Sequence, residues 1–215
     1  MITLDNVSKA YETRNGTRAI LDKASLAIGR GQSVGILGRN GAGKTTLLRM
    51  IGGVEMPTAG HIRREMSVSW PLGFSGGFQG SLTGAENTRF IARIYGVPIP
   101  STLKSVNQFA ELGDYFYMPV KKYSSGMLAR LSFGISLAVD FDCYLIDEIT
   151  SVGDNWFREK CHAELKARQA NGAIIMVSHD MGTLRRYCSS AAILSNAKLT
   201  YYENLEEAAR AYEAL

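Results

Sequence analysis

Cysteine is nearly missing from this chain. The 215 residues hold three, Cys143, Cys161 and Cys188. They are too far apart for any metal-binding or redox spacing, which excludes a zinc module, a disulfide scaffold and a thiol-redox site; a reducing compartment is expected. Histidine is as sparse, and neither His61 nor His162 has chemically suggestive neighbours. No apolar run approaches the ~20 residues needed to cross a bilayer. Met1-Ile2-Thr3-Leu4-Asp5 lacks the charged-then-apolar layout of a signal peptide, so a cytosolic chain is expected. Internal repeats and low-complexity stretches are missing too. The charge excess is only +4, which gives no reason to expect a nucleic-acid partner. With 46% hydrophobic and 20% charged residues the composition is that of a globular protein, and the length suits one domain, or one domain with a small appended lobe.

Against this plain background stands Gly38-Arg39-Asn40-Gly41-Ala42-Gly43-Lys44-Thr45, followed by Thr46. Gly, four residues, Gly-Lys and then Ser or Thr is the phosphate-loop pattern. Its context is the one that gives the pattern meaning: an apolar run at 33–37 that reads as a buried strand, then 45–51, which reads as a helix with Leu47, Leu48 and Ile51 facing a core. The glycines let successive N–H groups curl around a phosphate, and the helix N-terminus faces the same anion. Lys44 is expected to reach the β- and γ-phosphates, and the Thr45 hydroxyl to ligate Mg²⁺. A nucleoside triphosphate is the expected ligand.

Periodicity places the rest. Ile2, Leu4 and Val7 suggest an opening strand with Tyr11 just past its end, and 18–28 a partner for it across a turn at Asn15-Gly16. Gly52-Gly53 ends the first helix, Pro57 and Gly60 make a turn, and 66–70 reads as a further strand. The glycine-rich and aromatic stretch 72–84 has neither period. Thr83 caps a helix running to Tyr95, with Glu86 completing a capping box, and Ser101 caps a second helix after Pro98 and Pro100. A buried strand ends at Asp147, 155–169 is helical, and 173–178 is another buried strand. Asp180 opens a short helix and 191–202 closes a hairpin. Leu205, Ala208, Ala209, Tyr212 and Leu215 give the tail one apolar helical face. Strands alternating with helices predict an α/β fold with a largely parallel sheet. One domain is expected, with its core at 1–82 and 138–215 and a helical lobe inserted at 83–137.

Three further segments carry chemistry. A buried strand delivers Asp147 to the sheet edge, where a carboxylate holds a metal shell, and Glu148 follows it in position to orient or deprotonate a water. His179 follows the next buried strand, within reach of a γ-phosphate from a neighbouring strand end. Ser124, Ser125 and Gly126 stand at a helix N-terminus and make a second phosphate platform. One triphosphate does not need two platforms in one chain, but two chains facing each other do.

Together these motifs resemble the ATP-binding subunit of an ABC transporter over nearly the whole chain. The resemblance implies an ABC-type P-loop NTPase with a mainly parallel core sheet, an antiparallel β part and the helical lobe. It implies ATP in the loop from Gly38 to Thr46, adenine on the Tyr11 ring, and Mg²⁺ on Thr45 and Asp147. Glu148 falls at the family's catalytic glutamate, with His179 as switch histidine and Lys44 on the phosphates. Tyr123-Ser124-Ser125-Gly126-Met127 stands where the family has Leu-Ser-Gly-Gly-Gln, so Ser124, Ser125 and Gly126 would serve the partner chain's ATP. Asp154 matches the loop that signals across the dimer. The chain departs in two places: Ile149 replaces a usual proline, and Gln79 stands several residues late for the glutamine expected after the sheet. The segments 70–79, 82–87 and 123–127 look most like the capsular polysaccharide exporters, with O-antigen and teichoic acid exporters as close relatives. That implies a homodimer on the cytoplasmic face of the inner membrane, docked through 70–84 to a separate membrane-spanning permease. A soluble ABC ATPase of translation or DNA repair is the rival, as is a binding module that has lost hydrolysis.

Overall fold

Alternating burial builds the N-terminal sheet. In β1 (Ile2–Thr13) Ile2, Leu4 and Val7 are buried, and β2 (Gly16–Ile28) runs antiparallel to it, Ile2 opposite Ile28 and Thr13 opposite Gly16. β1 therefore continues through Tyr11, beyond the end its apolar pattern predicts, because backbone pairing persists where neither face is buried. β3 (Ser33–Leu37) is buried throughout and leads into α1 (Lys44–Ile51). Next comes β4 (Ala59–Arg64), which pairs with the other edge of β1, where the sequence predicts only a turn at Pro57 and Gly60. Its Ala-Gly-His-Ile-Arg-Arg has one large apolar residue and so no alternation to read. Gly60 belongs in the strand: at φ +80 it lies so close to the Asn6 carbonyl that no Cβ would fit. β5 (Val68–Leu72) follows.

The computed structural model describes every residue except 15, 73–76, 148–154 and 179. The second half of the chain contributes α2 (Gly84–Ile94), α3 (Ile99–Ala110), α4 (Ser125–Leu137), β6 (Cys143–Asp147), α5 (Asn155–Gln169), β7 (Ala173–Val177), α6 (Met181–Tyr187), β8 (Ser190–Ser195), β9 (Lys198–Tyr202) and α7 (Leu205–Glu213). The capping box on α2 is present, with the Thr83 hydroxyl accepting from Glu86 N–H and Glu86 Oε2 accepting from Thr83 N–H. α3 starts earlier than expected, on Pro98 rather than Ser101, because Pro100 fits the first turn of a helix where no N–H is needed. Among the described residues no helix is long and apolar enough to cross a membrane.

Two compact units result: Met1–Pro71 with Phe141–Glu148 and Lys166–Leu215, and Leu72–Asp140 with Ile149–Leu165. The first holds the three-stranded sheet β2-β1-β4 and strands of the six-stranded sheet β5-β6-β7-β3-β8-β9. β6, β7, β3 and β8 are mutually parallel and β9 closes the sheet antiparallel, as the alternation of strand and helix predicts. One apolar core joins Leu4, Val7 and Ile28 to Val34, Ile36, Leu145, Ile175 and Leu194, with Leu47, Leu48 and Ile51 of α1 packed among them. Burial of each such side chain stabilises by roughly 1.5–3 kcal/mol, so register here is firmly set. In the second unit Phe109 stacks on Phe133 at 6.1 Å and meets Phe157 edge-on at 5.3 Å. All three cysteines are free and buried, and burial pushes each thiol up to about 12, away from the thiolate form that a reactive cysteine needs.

Candidate functional site

Parallel register puts the chemistry at one edge of the sheet. Ile36 of β3 lies opposite Val177 of β7, and Val177 lies opposite Asp147 of β6. The loop leaving β3 and the carboxylate ending β6 therefore emerge at the carboxyl ends of strands, where α/β sheets bind ligands.

The loop's glycines are demanded by its surroundings. Gly43 has φ +106, and a Cβ on it would collide with Ile20 Cγ2. A Cβ on Gly38 would lie 2.6 Å from the Leu194 carbonyl oxygen. Lys44 Nζ folds back across this loop and donates to the carbonyls of Gly38 at 2.7 Å and Arg39 at 3.1 Å. From outside, the Arg18 guanidinium donates to the Gly41 carbonyl at 2.9 Å. Arg18, Arg39, Asn40, Gly41 and Ala42 line one side of an adjoining cavity of about 250 Å³.

Helix capping separates α1 from four of the other described helices, though α3, which opens on Pro98, also lacks a side-chain cap. α2, α4, α6 and α7 open on Thr83, Ser124, Asp180 and Asn204, each of whose side chains accepts from its own helix's N–H groups. α1 opens on Gly43, with no side-chain cap and no acidic residue in its first turn. Its N–H groups and dipole are left to an external anion, so the cradle fits a phosphate. Thr45 Oγ1 donates to Asp147 Oδ2 at 3.0 Å, joining residues 102 positions apart. A hydroxyl and a carboxylate so close are hard oxygen donors of the kind Mg²⁺ takes, so this pair fits the metal.

Tyr11 reaches the same loop from β1. Its hydroxyl donates to Glu55 Oε1 and lies 3.5 Å from Thr46 Oγ1, while its ring remains part-exposed. Glu55, beyond the end of α1, and Lys9, paired with it at 3.0 Å, were not singled out from the sequence. Lys9 and Tyr11 stand two apart on one strand face, which was a usable signal; Glu55 gave none. Burial alone would raise the Glu55 carboxyl, but the Tyr11 hydroxyl and the Lys9 and Arg49 cations outweigh it and hold the group below its usual value.

The serine platform is built within the second unit. Ser124 Oγ accepts from Met127 N–H at 3.2 Å, Ser125 begins α4, and a Cβ on Gly126 would meet only Ser124 Oγ, at 3.9 Å. Tyr123 immediately precedes it. Its hydroxyl donates to the Tyr115 carbonyl at 2.6 Å and abuts Gly84, and burial pushes its ionisation up. Gln79 is exposed, its N–H donating to Asn87 Oδ1 at 3.0 Å. Glu148, Asp154 and His179 lie outside the described residues.

Known proteins resemble this chain in sequence and in fold. The family model described as ABC transporter matches residues 21–151. A capsule polysaccharide export ATP-binding protein, CtrD of Neisseria meningitidis serogroup B, is 52% identical over 215 residues, covering 100% of both chains. The ATP-binding protein BexA of Haemophilus influenzae is 50% identical, covering 99% of this chain and 98% of its own. Among solved structures, a dimeric post-hydrolysis state of the ATP-binding cassette MJ0796 bound to ADP and Pi superposes with a TM-score of 0.83 at 22% identity, covering 95% of this chain and 99% of that one. With a family model spanning well over half its length and a relative this similar from end to end, the chain belongs to the ABC transporter family.

Proposed function

We propose that this chain is the ATP-hydrolysing subunit that powers export of a capsular polysaccharide across the inner membrane, working as a homodimer on a separate membrane-spanning permease. The observation that carries the ATPase reading is the Thr45–Asp147 hydrogen bond at 3.0 Å beside a glycine loop crossed by Lys44. The end-to-end similarity to a protein named for capsule polysaccharide export supports the cargo.

Each residue has a distinct task. The N–H groups from Gly38 to Thr46 and the Lys44 ammonium hold the triphosphate and stabilise charge that develops on its γ-phosphoryl oxygens. Thr45 and Asp147 would hold Mg²⁺, which when bound would neutralise charge on the phosphates. Glu148 takes the proton from the attacking water, and His179 reads the γ-phosphate. Ser124, Ser125, Gly126 and Asp154 of one copy complete the site of the other. The permease anchors the dimer at the cytoplasmic face of the membrane. Purified chain should release phosphate from Mg-ATP, and Lys44→Ala should abolish the release; activity that survives Lys44→Ala would sink the assignment. Host cells depleted of the chain should retain capsular polymer inside, and a normal surface capsule would rule out the cargo.

A further inference from the structure

Tyr11 is fixed more firmly than a free ring would be. The residue is 38% exposed, yet its hydroxyl is bound to Glu55 and lies 3.5 Å from Thr46 Oγ1. Lys9 places its Nζ 5.0 Å from the centroid of the Tyr11 ring and 3.0 Å from Glu55 Oε1, and also donates to the Met56 carbonyl at 2.8 Å. The side chains of Lys9 and Glu55 are only 13% and 20% exposed. The loop carrying Glu55 is itself secured at both ends. Val54 and Glu55 N–H groups donate to the Arg49 carbonyl, Thr58 N–H donates to the Ser8 carbonyl, and Ala10 N–H donates to Thr58 Oγ1. An aromatic ring has two faces, and an ammonium drawn over one of them leaves the other for a planar base.

We infer that Lys9 and Glu55 are positioning residues that clamp the Tyr11 ring so that a single face is presented to the nucleotide base. The inference rests on Tyr11 being the adenine platform and names what fixes that platform before ligand arrives. Lys9 and Glu55 neutralise each other, so the clamp adds no net charge beside the triphosphate. Ordering the ring in advance spares the nucleotide the entropy of doing so, which strengthens base binding without any new contact. Contact between the Tyr11 hydroxyl and Thr46 also ties the base platform to the phosphate loop.

The test compares two ligands on the purified full-length chain by titration calorimetry: Mg-ATP, and Mg-tripolyphosphate, which has phosphates but no base. Tyr11→Ala should weaken ATP about three- to ten-fold, the range of an aromatic stacking contact, and leave tripolyphosphate unchanged. Glu55→Gln, Glu55→Ala and Lys9→Met should each weaken ATP by part of that factor and spare tripolyphosphate. Combining Glu55→Ala with Tyr11→Ala should add no loss beyond Tyr11→Ala, since a clamp has nothing to hold once the ring is gone. Melting temperatures measured alongside identify a variant that has merely lost its fold, and the isosteric Glu55→Gln keeps the question open if Glu55→Ala does so. If Glu55 and Lys9 variants leave ATP affinity unchanged, weaken both ligands alike, or add fully to Tyr11→Ala, the clamp is overturned. If Tyr11→Ala itself binds ATP as the parent does, the platform reading falls instead.

Discussion

Gly43 shows how a single methyl group can decide this site. Its φ of +106 already disfavours a side chain, and Ile20 Cγ2 occupies the space a Cβ would need. Strain and overpacking together should make Gly43→Ala about 2–4 kcal/mol less stable, with nucleotide affinity lost as the loop shifts. Gly41 separates the two causes. Its φ of +78 carries similar strain, but the nearest atom to a Cβ is the end of the flexible Arg18 side chain, at 3.8 Å. Gly41→Ala should therefore cost clearly less in thermal unfolding, and trimming the neighbour with Ile20→Ala should relieve part of the Gly43→Ala defect when the two are combined. Equal costs at Gly41 and Gly43 would show that backbone strain alone matters.

At the scale of elements, β6 carries site chemistry at one end and a structural anchor at the other. Asp142, just before the strand, accepts from Ser67 N–H at 2.9 Å and from the Ser67 hydroxyl at 3.1 Å, and pairs with Arg30 at 3.1 Å. The Ser67 N–H leads these in holding the Asp142 carboxyl below its ordinary 3.8, against the opposing effect of burial. With the folded value the lower one, the unfolded chain binds the proton first as pH falls. The anchor's contribution is thus complete at neutral pH and drains away through the depressed value in acid. Asp142→Asn should lower the melting temperature at pH 7 and flatten its decline in acid below the ordinary 3.8; an unaltered acid slope would discount the anchor. Such tertiary links explain what sequence could and could not reveal. The phosphate loop, the buried strand before Asp147 and the Thr83–Glu86 capping box are local patterns whose physics lies within a few residues, and they were legible. β4 was not, because it is held by pairing with β1 rather than by its own side chains. Nor was the far half of β1. Lys9 and Glu55 come together across 46 residues, through a loop whose place is set by backbone hydrogen bonds to β1.

Across the whole molecule, the two phosphate platforms fall in different units: α1 begins in the first, and α4, capped by Ser124, in the second. A single triphosphate has no use for both within one chain, whereas two copies closing on two ATP molecules would use both. Glu148 gives the sharpest test, because binding and hydrolysis should separate there. The phosphates are assigned to Lys44 and backbone N–H groups, the metal to Thr45 and Asp147, and only the water to Glu148. Glu148→Gln preserves size and hydrogen bonding but removes the base, which typically costs roughly 10²–10⁴-fold in rate. Binding should survive, so the ATP-closed dimer should accumulate instead of turning over. Sedimentation of the purified chain with Mg-ATP should then show more dimer for Glu148→Gln than for the parent, whereas Lys44→Ala should show neither dimer nor hydrolysis. If Glu148→Gln hydrolyses ATP at the parent's rate, the base is another group, and His179 is the next residue to replace.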